Sequence, residues 1–82
     1  MDSRVALISI IVEQADSVEA LNRILHEYGA YIIGRMGLPY QKRGISIISI
    51  AVDAPADIIR ALSGKLGRLP GVSSKALYSK VN

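Results

Sequence analysis

Ile8-Ser9-Ile10-Ile11-Val12-Glu13 returns in the second half of the chain as Ile48-Ser49-Ile50-Ala51-Val52-Asp53. Nothing else in the sequence constrains the fold as strongly. Each copy lies in an apolar run, 5–12 and 45–52, dominated by Ile and Val. Runs of that kind suit strands buried on both faces. After the first come Val18, Leu21, Leu25 and Tyr28 at helical spacing, and after the second Ile58, Ile59, Leu62 and Leu66. A weaker strand pattern spans 31–38, and a polar, Lys-bearing one spans 72–81, as edge strands require. The order is β-α-β twice over. Its simplest α+β solution is a ferredoxin-like βαββαβ sandwich, a four-stranded antiparallel sheet with two helices on one face. At 82 residues the chain is one domain, 1–82, because two would each fall below a workable core.

Local signals place the boundaries. Asp16, with Glu19 three residues on, reads as a capping box opening the first helix, and Gly29 as its left-handed stop. Residues 39–44 form a polar connection with a turn at Gly44. Pro55 is pre-set for the first turn of the second helix. Gly67 ends that helix, and Leu69-Pro70-Gly71 makes a tight connection. The first and third strands are expected at the centre of the sheet, the second and fourth at its edges.

Two helices cover only one sheet face, yet both central strands are apolar in both parities. Ala6, Ile8, Ile10, Val12, Ile48, Ile50 and Val52 form the more continuous set and are assigned to the helix side. Val5, Leu7, Ile11, Ile45, Ile47 and Ala51 then face outward, relieved only by Ser9 and Ser49. Each large aliphatic side chain left there forgoes roughly 1.5–3 kcal/mol of burial. A patch of that kind marks an interface. The expectation is a homo-oligomer, dimer or tetramer, with Val5, Leu7, Ile11, Ile45 and Ile47 in its contact. A bent C-terminal segment over part of the face is the competing arrangement, for which so short a chain has little to spare.

Candidate chemistry is sparse. Half the residues are hydrophobic, which excludes a disordered chain, and the absence of Cys excludes disulfide scaffolds and thiolate metal sites. His26, the sole histidine, stands beside Glu27 near a helix C-terminus, where positive charge is favoured. No metal site within one chain and no cofactor is expected. Ser63-Gly64-Lys65 is similar to the end of a phosphate loop, but it lacks the upstream Gly and closes a helix instead of opening one. Glu13 and Asp53 hold equivalent strand ends and are the one carboxylate pair to weigh. Acids at helix entries are common for dipole reasons alone, and no nucleophile–base pair accompanies them, so no enzyme is expected.

The net charge of +3 permits anionic partners. Gly34-Arg35-Met36-Gly37, with Tyr40, Lys42 and Arg43, is the stretch best suited to one. Arg35 can grip a carboxylate or phosphate with its planar fork, with the Gly37 backbone and Lys42 nearby for a small anionic ligand. The plainer reading is an edge strand guarded by charges, followed by a solvated hairpin. Basic residues are dispersed, with neither zinc-finger spacing nor an aromatic ladder, so direct nucleic-acid binding is not expected. The N-terminal apolar run is too short for a bilayer and has no cleavage site after it. No membrane association is expected, and a cytoplasmic location follows by default.

Four segments also carry a family likeness. His26-Glu27-Tyr28-Gly29, Ile33-Gly34-Arg35-Met36-Gly37-Leu38-Pro39, Gly44-Ile45-Ser46-Ile47-Ile48-Ser49-Ile50 and Leu62-Ser63-Gly64-Lys65-Leu66-Gly67 resemble the iron-only hydrogenase system regulator family. That family looks like the ACT-type C-terminal domain of nickel-responsive regulators. The resemblance implies an ACT-like regulatory, ligand-sensing or oligomerising module, here without the ribbon-helix-helix that those regulators carry for DNA. An adaptor that binds a partner protein and no small ligand is the alternative. Nickel-responsive regulators use several His and a Cys for metal, whereas this chain has one His and no Cys. Amino-acid-binding ACT domains favour a Gly after the first strand, where this chain reads Glu13-Gln14-Ala15-Asp16.

Overall fold

A computed structural model of the chain describes residues 2–80. The strands are β1 (Ser3–Val12), β2 (Ile32–Tyr40), β3 (Ile45–Pro55) and β4 (Val72–Tyr78), and the helices are α1 (Val18–Glu27) and α2 (Ala56–Gly67). Short 3-10 turns occupy Ala15–Ser17, Gly29–Tyr31 and Gln41–Arg43. All strand pairs are antiparallel, in the order β2-β3-β1-β4. The chain therefore forms the ferredoxin-like βαββαβ sandwich, with the two echoing strands as its central pair. Their register sets Ile8 opposite Ile50, Ser9 opposite Ser49 and Ile10 opposite Ile48. The repeated motif thus pairs with its own copy about a pseudo-two-fold through the serines.

The core lies between this sheet and the helices. Ile8, Ile10, Val12, Ile50 and Val52 are fully buried there, with Ala6 and Ile48 close behind. Leu21 and Leu25 come down from α1, and Ile59, Leu62 and Leu66 from α2, which is the helical spacing that the sequence shows. Ser63 Oγ and Ser74 Oγ stand 3.0 Å apart between α2 and β4. The Lys65 ammonium lies 5.1 Å from the Tyr28 ring centre and ties the end of α1 to α2. The Tyr28 side chain, as hydrogen-bond partner first and charge partner second, holds Lys65 above the ordinary lysine pKa.

Several boundaries depart from the expectation. The capping box does not form. Asp16 lies inside the 3-10 turn, α1 begins at Val18, and its N-cap Ser17 makes no capping bond. Ser17 is buried instead, and its hydroxyl donates to the Pro70 carbonyl at 2.5 Å. Gly29 is not a left-handed stop. Positive φ occurs, among the described residues, at Gly44 and Gly71 alone. The chain leaves α1 through Tyr28 into a 3-10 turn, closed by the Tyr31 N–H on the Tyr28 carbonyl at 3.0 Å. Pro55 is the extended N-cap of α2, because β3 runs three residues past Val52. The β4 pattern ends at Tyr78, and Val81 lies outside the described residues.

Gly71 closes the end of the sandwich. It adopts φ +69°, accepts the Glu13 N–H at 2.7 Å, and packs so tightly that an added Cβ would stand 2.6 Å from Gln14 Cγ. The β1–α1 and α2–β4 junctions are thereby joined at two points, Glu13 to Gly71 and Ser17 to Pro70.

Candidate functional site

The face of the sheet away from the helices is open. Val5 (40% exposed), Leu7 (40%), Ile11 (43%) and Ile47 (41%) stand on it, with Ile45 and Ala51 of β3 half-buried. Strand pairing extends the patch to both edges. On β2, Leu38 lies beside Ile47 and Tyr40 beside Ile45, and on β4, Leu77 lies beside Leu7. Leu38, Tyr40 and Leu77 are exposed as well. The sequence reading missed these edge residues, although the alternation Met36, Leu38, Tyr40 carries the signal. No described residue folds over this face. After β4 the chain stays alongside β1, with the Ser79 N–H donating to the Val5 carbonyl at 2.8 Å.

Toward one end of the face, Val5, Leu7, Ala51 and Leu77 border a shallow apolar hollow of about 240 Å³. A second hollow of similar volume lies on the helix side, between the start of α1 and β2. Val18, Arg35, Gly37, Pro39, Ser46 and Ile48 are among its lining residues. Arg35 and Gly37, singled out from sequence, do meet there. Lys42 is not among the lining residues and sits on the exposed 3-10 turn after β2. Arg35 points across to α1, where its guanidinium donates to Asn22 Oδ1 at 2.8 Å. Gly34 adjoins the β2 irregularity next to Ile32, and an added Cβ at Gly37 would meet nothing within 4 Å. The space over the Gly37 Cα is therefore open.

The remaining candidates are dispersed. Val5 opposes Asp53 and Val12 opposes Ser46, so Glu13 and Asp53 stand at opposite ends of the central strand pair. At about 3.4 Å per residue they are on the order of 27 Å apart. The equivalent strand ends of the sequence reading cannot act as a carboxylate pair, because antiparallel pairing sends them to opposite ends of the sheet. Ser63-Gly64-Lys65 lies within α2, and a Cβ at Gly64 would meet only the Arg68 side chain. At Gly67 a Cβ would stand 3.7 Å from Ser74 Cβ, an ordinary packing contact, so the α2–β4 approach does not depend on glycine there. Among the described residues, no three His, Cys, Asp or Glu side chains gather as metal ligands. No helix among them is long and apolar enough to cross a membrane.

A family model titled TM1266-like, "Iron-only hydrogenase system regulator, putative", matches residues 4–76, which include both helices and all of the sheet except Ser3, Leu77 and Tyr78. The chain belongs to this family. The solved structure of uncharacterized protein TM1266 from Thermotoga maritima is similar at a TM-score of 0.92 and 31% identity, over 96% of this chain and 100% of that one. A formyltetrahydrofolate deformylase from Pseudomonas putida is similar at a TM-score of 0.63 and 13% identity. That match covers 88% of this chain but 28% of the deformylase, and it shows the fold alone. No curated protein matches the sequence.

Proposed function

We propose that the chain is a non-enzymatic, ACT-like regulatory module of an iron-only hydrogenase system, working in the cytoplasm as a homo-oligomer and sensing a small anionic ligand. Family membership supplies the system. The observation that carries the mechanism is the open apolar face around Ile11 and Ile47, exposed at 43% and 41% in a lone subunit. Such a surface stays in solution by meeting another surface. A second copy of the same patch closes it with no added sequence. The Arg35 hollow supports the sensing role, with a planar cation at its rim and open space over Gly37 beside it.

The competing reading is an adaptor that uses the open face for a partner protein and binds no ligand. It is favoured by the Arg35–Asn22 bond, which already occupies part of the guanidinium, and by the placement of Lys42 off the hollow. A thermal-shift panel of amino acids, nucleotides, short carboxylates and divalent metals separates the two. A sensor gains stability with one class of anion and loses that gain in Arg35→Ala. An adaptor is unmoved by the whole panel.

A further inference from the structure

Two serines stand at the middle of the open face, whose other polar residues include Asp53 beside Val5 and Ser73 beside Ile11. Ser9 and Ser49 stand opposite each other on β1 and β3, Met36 lies beside Ser49 on β2, and Lys75 lies beside Ser9 on β4. This row crosses the middle of the patch. One row along lie Ile11 and Ile47, and one row the other way lie Leu7 and Ala51. Strand preference and burial would both favour valine or isoleucine at the serine positions. The centre of the face is therefore polar where an aliphatic residue would fit.

The face is large enough to pair with itself. With strands about 4.8 Å apart and same-face residues about 6.8 Å apart, four rows across four strands span on the order of 500 Å². Two copies then bury about 1,000 Å², the lower bound for a specific interface. Sheets stack face to face about 10 Å apart, with strands nearly aligned.

We infer that Ser9 and Ser49 set the register of a face-to-face dimer of this chain, by bringing four hydroxyls together at the centre of its interface. The inference rests on the oligomer reading above. A two-fold axis running across the strands lays Ser9 over Ser9 and Ser49 over Ser49. An axis running along the strands lays Ser9 over Ser49. Either way hydroxyls face hydroxyls, each able to donate once and accept twice, and at a sheet spacing of about 10 Å one water bridges them. With the axis across the strands, a slip of one row, about 6.8 Å, moves them against Ile11 and Ile47 or Leu7 and Ala51. Buried hydroxyls are then left unpaired, which is unfavourable. An aliphatic face alone imposes no such penalty, since Ile, Leu and Val pack against one another in many registers. A lone polar residue in a coiled-coil seam specifies register for the same reason.

The chain has no Cys, so one spin label can be placed by Glu19→Cys on the exposed face of α1, away from the open sheet face. Electron–electron resonance then reads the distance between labels in paired copies. With Ser9 and Ser49 in place, one narrow distance is expected. Ser9→Val with Ser49→Val should broaden or split it while the chain remains associated. Ser9→Thr with Ser49→Thr, of the same shape but keeping the hydroxyls, should retain the narrow distance. A valine pair that keeps the single distance, or a threonine pair that broadens like valine, overturns the register role and leaves the oligomer standing. A labelled chain of monomer mass overturns the oligomer reading itself.

Discussion

Ile11 on β1 and Ile47 on β3 stand directly opposite each other on the two central strands, yet 43% and 41% of their surfaces remain in water. Their neighbours in the same strands, Ile10 and Ile48, are buried under the helices. Both parities of the central pair are thus apolar, and only one has a cover.

Ile47→Lys tests that relationship. In a lone subunit the lysine stem lies along the sheet and its ammonium reaches water. Between two sheets the same ammonium is buried without a partner, at a cost of several kcal/mol. The expected product is a chain with wild-type far-UV circular dichroism and the mass of a monomer. Ile47→Lys that stays associated would place the contact elsewhere.

Ser17→Ala removes the bond from the Ser17 hydroxyl to the Pro70 carbonyl and leaves that acceptor unpaired beside a buried position. The expected loss is about 1–3 kcal/mol, read as a drop of several degrees in Tm. Asp16→Ala, one residue earlier and exposed, should stay within about 0.5 kcal/mol of wild type. Equal effects at both positions would restore the capping role to Asp16.

Gly44 and Gly71 share a positive φ, and they should differ in what they tolerate. At Gly44 an added Cβ meets nothing within 4 Å, so Gly44→Ala costs about 1–2 kcal/mol of left-handed strain alone. At Gly71 the same Cβ lies 2.6 Å from Gln14 Cγ and 3.0 Å from the Gln14 backbone nitrogen. Gly71→Ala should therefore lower Tm clearly more than Gly44→Ala in parallel melts.

Gly37→Ala and Arg35→Ala probe the hollow beside α1. Neither side chain carries the core, so both variants should melt within about 0.5 kcal/mol of wild type. Both should lose the stabilisation given by an anion that binds there, Arg35→Ala through the missing fork and Gly37→Ala through a methyl in the open space over its Cα. An anion whose effect survives both changes binds at another place.

The fold was legible because the period of the apolar residues changes twice in the same way. Ile8, Ile10 and Val12 alternate, Leu21 and Leu25 recur by four, and the pattern repeats at Ile48, Ile50 and Val52 with Leu62 and Leu66. The open face followed from counting helices against faces. Other features depend on tertiary partners. Ser17 gives no local sign that its hydroxyl turns to Pro70, 53 residues away, instead of capping its own helix. Gly29 looks like a stop because glycine permits one, but the chain runs on into a 3-10 turn closed on the Tyr28 carbonyl. Glu13 and Asp53 look equivalent in sequence and are separated by antiparallel pairing. Arg35 and Gly37 reach one hollow because they lie two apart on a strand, while Lys42 leaves with the turn.

The mass of the wild-type chain in solution tests the central claim most directly. Light scattering coupled to size exclusion, at micromolar concentration, should give at least two chains of 8.8 kDa per particle. A stable, monodisperse particle of one chain would contradict the account, because the apolar face around Ile11 and Ile47 would then stand in water with nothing to cover it.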